Sequence, residues 1–269
     1  MPAPEAATAS VAEDLAANGA IVVRQFLSAE ETANLRPTVD EIYGCMAVCR
    51  QFDNRKLGEN FRICHGVWLE HLPEFLRSAR PDLERRYGRS LAVIEAQTRR
   101  LLGEQWRFFA KRSYFRRHFG VAKQVPWHID ADAAAIYRLA ASVVNVWLPL
   151  NPVGEELPSL EIVPGSHLVM RRTRLLIGKD RYRDDAFVCK IGAPSTPRLQ
   201  PGDALIFDQF LLHRTQLVGA KKAVRTACEF RFIRPAQPTL VNLTGRLRFI
   251  ANALFAEDGI VAGRIKLGS

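Results

Sequence analysis

Residues 125–132 read VPWHIDAD, and the interpretation of the whole chain depends on this stretch. In a β-strand the side chains at positions i and i+2 project from the same face, so His128 and Asp130 are expected on one side and Ile129 on the other. A histidine and a carboxylate on one side of a strand are either an incidental pair at a strand end or two ligands of a metal ion. A third ligand elsewhere in the chain decides between these interpretations.

The composition is that of an ordinary globular protein. The chain has 269 residues, 48% of them hydrophobic and 25% charged, so it is long enough to bury a substantial core. Its apolar runs, such as LAASVVNVWLPL at residues 139–150, are shorter than the roughly 20 residues of a membrane-spanning helix. The first residues lack the basic and then apolar layout of a signal peptide. We therefore expect a cytoplasmic protein without a membrane partner.

The cysteines do not form a zinc or disulfide pattern. Cys45 and Cys49 have no second cysteine pair that would complete a zinc site. Reduced, mainly structural thiols are expected at all five positions, which are Cys45, Cys49, Cys64, Cys189 and Cys228.

The net charge of +10 has three interpretations: a solvated basic surface, attraction of an anionic small substrate, or binding to nucleic acid. The arginines are spread over segments such as RRYGR, FRRHF and RRTR, without a recognisable nucleic-acid-binding motif. A small-molecule substrate is therefore expected, with no nucleic-acid partner. The sequence leaves the oligomeric state open.

Helical patterns dominate the N-terminal part of the chain. Gly19 is expected to end a first helix, because glycine commonly follows the last helical residue. Ser28 and Glu31 have the spacing of a capping box, which predicts the start of a second helix. Apolar residues at three- and four-residue steps predict a long helix further on. The helices are expected over 10–17, from Ser28 to Tyr43, and over 83–106.

Short β-rich segments follow from Trp106, separated by proline and glycine turns, and they predict a sandwich or barrel core. We expect one domain over residues 1–269, with a helical part to about residue 105, a β core over about 106–235 and an extension over 236–269. The expected strands are WRFFAKRSYF (106–115), VVNVWLPL (143–150), SLEIVPG (159–165), RLQPGDALIFD (198–208) and RTACEFRFI (225–233).

A candidate third ligand lies in PGDALIFDQFLLHRTQ, residues 201–216. An apolar strand there follows a Pro-Gly turn and ends at His213, which a rolled sheet can bring beside His128 and Asp130. Alone, His213 is also explained as a strand-end or core histidine. Two histidines and one carboxylate on one face of a metal are typical of non-haem iron(II) sites, which keep open positions for substrates and oxygen.

Several motifs occur along the chain in the order and with the spacing of one enzyme family: NGAIVVRQFLSAEE (18–31), VPWHID (125–130), VNVWLPLNP (144–152), EIVPGSH (161–167), LQPGDALIFD (199–208), His213 and Arg225. Through these motifs the chain resembles the phytanoyl-CoA dioxygenase family of iron(II)- and 2-oxoglutarate-dependent oxygenases over residues 15–235. The resemblance implies a mainly β fold with flanking helices, whose double-stranded β-helix (a cupin-like jelly roll) packs against the N-terminal helices. The chain departs from the usual pattern at Ile129 and in the GEELPSLEIVPGSH segment.

The resemblance implies that His128, Asp130 and His213 bind iron(II). It implies that Arg225 pairs with the distal carboxylate of 2-oxoglutarate, a role that suits a planar guanidinium. Arg231 lies on the same strand face and is the alternative anchor or a substrate contact.

Three further residues are expected near the cosubstrate. Thr215 is in a position to hydrogen-bond to it, and Trp147 is expected to line its pocket or to be plain core. Lys111 is expected in a strand, where its charge would help neutralise the bound dianion. Asp132 is expected at the pocket rim or in solvent.

The implied activity is hydroxylation, or a related oxidation, of a small and anionic metabolite, with release of succinate and carbon dioxide. Relatives that halogenate lack the carboxylate ligand, so Asp130 favours hydroxylation. The implied cofactors are Fe(II), 2-oxoglutarate and O2, with ascorbate as an activator. The alternatives are a metal-binding jelly roll without enzymatic activity and a nucleic-acid-directed oxidative demethylase.

Substrate identity is not determined by these motifs. Specificity in the family comes from variable loops and helices, which here include residues 50–80 and 166–187. Arg171, Arg172 and Arg174 are either anion contacts or solvated surface residues.

Overall fold

The structure, a computed structural model, describes residues 4–48, 64–119, 125–132, 141–173, 184–216 and 224–235. Within these ranges the helices are α1 (Pro4–Asn18), α2 (Ala29–Val48), α3 (Leu72–Ala79), α4 (Pro81–Leu102), α5 (Ser166–Thr173) and α6 (Asp185–Ile191), with a 3-10 helix at Asp130–Asp132. The strands are β1 (Ala20–Val23), β2 (Cys64–Trp68), β3 (Arg107–Phe108), β4 (Tyr114–Phe119), β5 (Ala141–Pro149), β6 (Leu160–Ile162), β7 (Ala204–Asp208), β8 (His213–Thr215) and β9 (Val224–Pro235).

The strands form two antiparallel sheets. The large sheet has the order β1-β7-β5-β9-β4-β2, and β3 pairs with β9. The small sheet consists of β6 and β8, and His128 extends it by pairing with His213. This arrangement confirms the predicted mainly β jelly roll with flanking helices. The expectation of a single domain stays a prediction, and its C-terminal extension lies outside the described residues.

The two faces of the large sheet have different roles, because successive side chains of a strand point to opposite faces. Val146 of β5 and Phe230 of β9 belong to the core shared with α1–α4. Trp147 and Ala227 point the other way and pack with Leu160 of the small sheet. The inner face, between the two sheets, is where a site can be enclosed.

All three predicted helices are present, but α1 begins six residues before residue 10 and α2 continues five residues past Tyr43. α1 ends one residue before Gly19, which has a φ of 72°. The Ser28–Glu31 capping box is present, with the Ser28 amide donating to Glu31 at 2.7 Å and the Glu31 amide donating to the Ser28 hydroxyl at 3.2 Å. The long helix α4 ends at Leu102 and not at residue 106, because Gly103 follows it with a φ of 101°.

The predicted strand over 106–115 is wrong in one respect. It is divided into β3 and β4 by a turn in which Arg112 has a φ of 78°. Lys111 therefore lies in an exposed turn and not in a strand.

Two other expectations concern thiols and membranes. Cys45, Cys189 and Cys228 are free thiols, as predicted, whereas Cys49 and the side chain of Cys64 lie outside what is described. In the described ranges, no helix combines the length and the apolar character needed to cross a membrane.

Ser28→Ala should lower the free energy of unfolding by about 1 kcal/mol, because it leaves an amide at the start of α2 without its capping acceptor. Urea denaturation followed by circular dichroism would measure this. Ser78→Ala is the matched control, since the Ser78 hydroxyl only donates to a carbonyl within its own helix. An equal loss in both variants would contradict a specific capping contribution.

Candidate active site

The three residues expected to bind a metal lie together. His128 and His213 exchange two backbone hydrogen bonds of 3.0 and 3.1 Å, and their ring centroids are 4.1 Å apart. Asp130 contributes a carboxylate, and one ligand atom from each of the three residues lies within 4.8 Å of the others.

The expected strand geometry at Asp130 is wrong. The chain is in strand pairing only at His128 and turns into the 3-10 helix at Asp130, with the Asp132 amide donating to the Ile129 carbonyl at 3.3 Å. The turn, rather than strand alternation, brings Asp130 towards the imidazoles. Asp132 is half-buried.

Each imidazole is oriented by the backbone. Nδ1 of His128 lies 2.9 Å from the Pro126 carbonyl, and Nδ1 of His213 lies 3.0 Å from the Leu211 carbonyl. A carbonyl only accepts, so both Nδ1 atoms carry the proton and both Nε2 atoms keep a lone pair for a metal. Burial, with the nearby His213, lowers the pKa of His128 to about 3, so its ring is neutral.

Asp130 is buried, and its two oxygens have different environments. Oδ1 accepts from Nη2 of Arg231 at 3.0 Å and lies 4.0 Å from Nε2 of His128. Oδ2 is buried and has no hydrogen-bond partner among the described residues. Burial opposes ionisation of Asp130, but the charge and hydrogen bond of Arg231, together with the two neighbouring histidines, outweigh it and hold the pKa below its usual range. Two imidazoles whose Nδ1 atoms are held by backbone carbonyls, and an ionised carboxylate with an unpartnered oxygen, form a donor set that fits iron(II).

A cavity adjoins the two histidines on the inner face of the large sheet, and Trp147, Thr215 and Arg225 line it. Arg225 is only 1% exposed; it donates to the Pro158 carbonyl at 2.8 Å, and its guanidinium lies 5.5 Å from the centroid of Trp147. The full lining is Tyr114, Arg116, Val125, His128, Trp147, Leu160, His213, Thr215, Arg225, Ala227 and Glu229.

Lys111 is not among the residues that line this cavity. The positive φ of Arg112 creates the turn that carries Lys111 to the surface. Arg231 is occupied elsewhere, because it bonds to Asp130, to Glu229 and to the Arg112 carbonyl.

Sequence reasoning missed three polar residues of the cavity: Tyr114, Arg116 and Glu229. Arg116 donates to the Tyr114 hydroxyl at 2.8 Å, and that hydroxyl donates to Glu229. Strand alternation could have found Glu229, since it lies four positions after Arg225 in the same strand. Arg116 reaches the cavity because β4 pairs with β9, and local sequence patterns do not predict which strands pair.

Two of the other histidines have identifiable environments. Nε2 of His167 lies 3.0 Å from the Ala16 carbonyl, which ties α5 to α1. His118 faces Arg225 across the β4–β9 pairing and is 1% exposed. Neither nitrogen of His118 has a hydrogen-bond partner in the described part of the chain.

The structure describes two of the three arginines that were expected to be either anion contacts or solvated surface residues. Arg171 pairs with Asp208 at 2.7 Å on the outside of the fold. Arg172 is exposed on α5, and Arg174 lies outside the described residues.

His118 should make stability depend on pH. Burial, together with the charges of Arg225 and Arg116, lowers its pKa from 6.5 to about 4. The unfolded chain therefore binds the proton first, so stability is complete above pH 6.5 and falls as the pH drops towards 4. Between pH 7 and pH 4.5 the wild type should lose about 2 kcal/mol more of its free energy of unfolding than His118→Gln. Denaturation series at both pH values would measure this, and equal losses would show that His118 is not a buried neutral imidazole.

The comparison with known proteins places the chain in a family. A family model described as phytanoyl-CoA dioxygenase matches residues 15–218. None of the curated protein sequences matches the chain.

Similar solved structures are distant in sequence. The non-heme alpha ketoglutarate dependent carbocyclase SnoK from nogalamycin biosynthesis is 19% identical, with a TM-score of 0.58 over 87% of this chain and 89% of that one. EctD from S. alaskensis, solved with bound Fe, is 18% identical, with a TM-score of 0.56 over 86% and 77% of the two chains. The epimerase SnoN, solved with Fe3+, alpha ketoglutarate and nogalamycin RO, is 18% identical, with a TM-score of 0.57 over 85% and 84%. These structures share the fold, and the family match covers most of the chain, which belongs to the phytanoyl-CoA dioxygenase family.

Proposed function

We propose that the protein is an iron(II)- and 2-oxoglutarate-dependent oxygenase that hydroxylates, or otherwise oxidises, a small anionic metabolite and releases succinate and carbon dioxide. The observation that carries the proposal is the group of His128, Asp130 and His213 beside a cavity that contains the buried cation Arg225.

His128, Asp130 and His213 would hold the metal. The two Nε2 atoms and the unpartnered Asp130 Oδ2 would be the donors, because the Nδ1 atoms and Asp130 Oδ1 already have partners in the protein. Bound iron(II) would supply the activation of O2, which side chains alone do not perform. The protein contributes orientation of the reactants and exclusion of bulk water, because the site lies between the two sheets.

Arg225 would bind the distal carboxylate of 2-oxoglutarate. A buried guanidinium is permanently charged and offers two parallel N–H donors to a carboxylate. Trp147 and Thr215 line the same cavity and would contact the chain of the cosubstrate. Arg116 also lines it and supplies a second positive charge for a dianion, in place of the exposed Lys111. SnoN solved with alpha ketoglutarate and EctD solved with 2-oxoglutarate support this cosubstrate.

The substrate would be a small metabolite. SnoN was solved with nogalamycin RO and EctD with 5-hydroxyectoine, both small molecules. The net charge of +10 favours an anionic compound, through attraction over distances of about 10 Å. Asp130 occupies the position of the carboxylate ligand and so favours oxidation with return of a hydroxyl group.

The metal should depend on Asp130 and not on Asp132. Wild-type protein with iron(II), ascorbate and 2-oxoglutarate should form succinate slowly even without substrate. Asp130→Ala should abolish this turnover, because it removes an anionic oxygen donor that the metal requires. Asp132→Ala is the matched control, two positions along the same segment, and it should retain metal and turnover. Mass spectrometry of succinate and metal analysis would measure both.

Two results would contradict the proposal. A wild type that neither forms succinate nor binds 2-oxoglutarate would favour a metal-binding jelly roll without enzymatic activity. Loss of metal from Asp132→Ala, with normal binding by Asp130→Ala, would reverse the ligand assignment.

Arg225→Ala should weaken 2-oxoglutarate binding by about 2 to 5 kcal/mol, because it leaves a sequestered carboxylate without its charged partner. Calorimetric titration of 2-oxoglutarate into protein loaded with Mn(II) would measure the affinity. Arg198→Ala is the control, since Arg198 pairs with Glu155 on the surface. Normal binding by Arg225→Ala together with a large loss in Arg116→Ala would identify Arg116 as the anchor.

A further inference from the structure

A second buried carboxylate lies beside the candidate metal site. Glu229 is 9% exposed and lines the same cavity as His128 and His213. One nitrogen of Arg231, Nη2, bonds to both Asp130 Oδ1 and Glu229 Oε1. The two carboxylates therefore share one nitrogen of a single guanidinium group.

The two carboxylates differ in how their oxygens are satisfied. Glu229 uses both of them inside the protein, with Oε1 on Arg231 and Oε2 accepting from the Tyr114 hydroxyl. Burial raises the pKa of Tyr114, so its phenol stays protonated and remains a donor. Asp130, by contrast, has only Oδ1 bonded, and Oδ2 is buried without a partner in the described part of the chain.

This difference matters for a metal with three protein ligands. Hard divalent ions attract carboxylates, and Glu229 is the carboxylate among the residues that line the cavity beside His128 and His213, so it could compete with Asp130 for the metal. A fourth protein ligand would occupy a position that 2-oxoglutarate or oxygen needs. Arg231 and Tyr114 hold both oxygens of Glu229 away from that role.

We propose that Arg231 is a positioning residue that separates the two carboxylates: it presents Asp130 to the metal and keeps Glu229 out of the coordination sphere. This inference rests on the proposed function, because it concerns the same metal site. Arg231 itself contacts neither the cosubstrate nor the reacting atoms in this assignment.

The test uses full-length protein loaded with Co(II), whose visible absorption reports its ligands. Arg231→Met should bind Co(II) with an altered spectrum and should lose about tenfold to a hundredfold in 2-oxoglutarate affinity, on the scale of the loss in metal affinity or activity that replacing a residue that orients metal ligands usually causes. Adding Glu229→Gln to Arg231→Met should restore the wild-type spectrum and most of the affinity. If Arg231 were merely structural, removing Glu229 would restore neither the Co(II) spectrum nor the 2-oxoglutarate affinity.

Arg80→Met is the matched control. Nη2 of Arg80 also bonds to two carboxylates, Glu41 and Asp82, but between helices α2 and α4. It should leave the Co(II) spectrum and the 2-oxoglutarate affinity unchanged. If Arg231→Met does not fold, Arg231→Gln replaces it, because glutamine keeps an N–H donor and loses the charge. Adding Glu229→Gln to Arg231→Gln should restore the Co(II) spectrum and the 2-oxoglutarate affinity in the same way.

The inference is overturned if Arg231→Met and Arg231→Gln keep the wild-type spectrum and affinity, or if Glu229→Gln restores neither. A wild type that binds no Co(II) at all, or no 2-oxoglutarate, would instead refute the proposed function.

Discussion

The backbone pairing between His128 and His213 is the interaction on which the candidate site depends. It joins a short segment to the end of the small sheet and sets the two imidazoles side by side. The residues next to the two histidines in the sequence, Trp127 and Arg214, stabilise the same pairing. Both donate hydrogen bonds to Asp185 of α6. The Arg214 guanidinium lies 4.4 Å from the centroid of the Trp127 ring. One face of the pairing thus carries the metal donors, and the other carries the contacts that hold the two segments together.

The two carboxylates enclosed beside the candidate site, Asp130 and Glu229, are compensated locally. Arg231 lies between Asp130 and Glu229, and Arg116 bonds to the tyrosine that holds Glu229. Buried ion pairs add little net stability, because the loss of hydration offsets their attraction. Their role here is geometric, since they determine which oxygens are bonded and which one remains available to a metal.

The helices serve the site indirectly. Leucine and isoleucine side chains of α2, α3 and α4 cover the outer face of the large sheet. There they pack against aromatic residues of its own strands, such as Phe115 and Phe230. With that face buried, alternation directs Trp147, Arg225 and Glu229 inward. The outer core therefore fixes the strand register, and a register shift of one residue would turn the whole cavity lining outward.

The sequence by itself determined the residue types that can bind a metal, the helix boundaries at Gly19 and Ser28, and most of the strand segments. His128, Asp130 and His213 were recognisable because few residue types bind metals strongly, and the Ser28–Glu31 cap because it involves only neighbours in the chain. Arg225 was recognised through the family resemblance. Only the tertiary structure decided which side chains meet across strands: Arg116 and Glu229 reach the cavity through the pairing of β4, β5 and β9, whereas Lys111 leaves it. The turn that carries Lys111 to the surface needs a positive φ at Arg112. Arginine rarely adopts a positive φ, so the local sequence does not predict this turn. The pairing of Arg231 with Asp130 joins positions 101 residues apart, and such contacts depend on strand register and burial, which local sequence patterns do not encode.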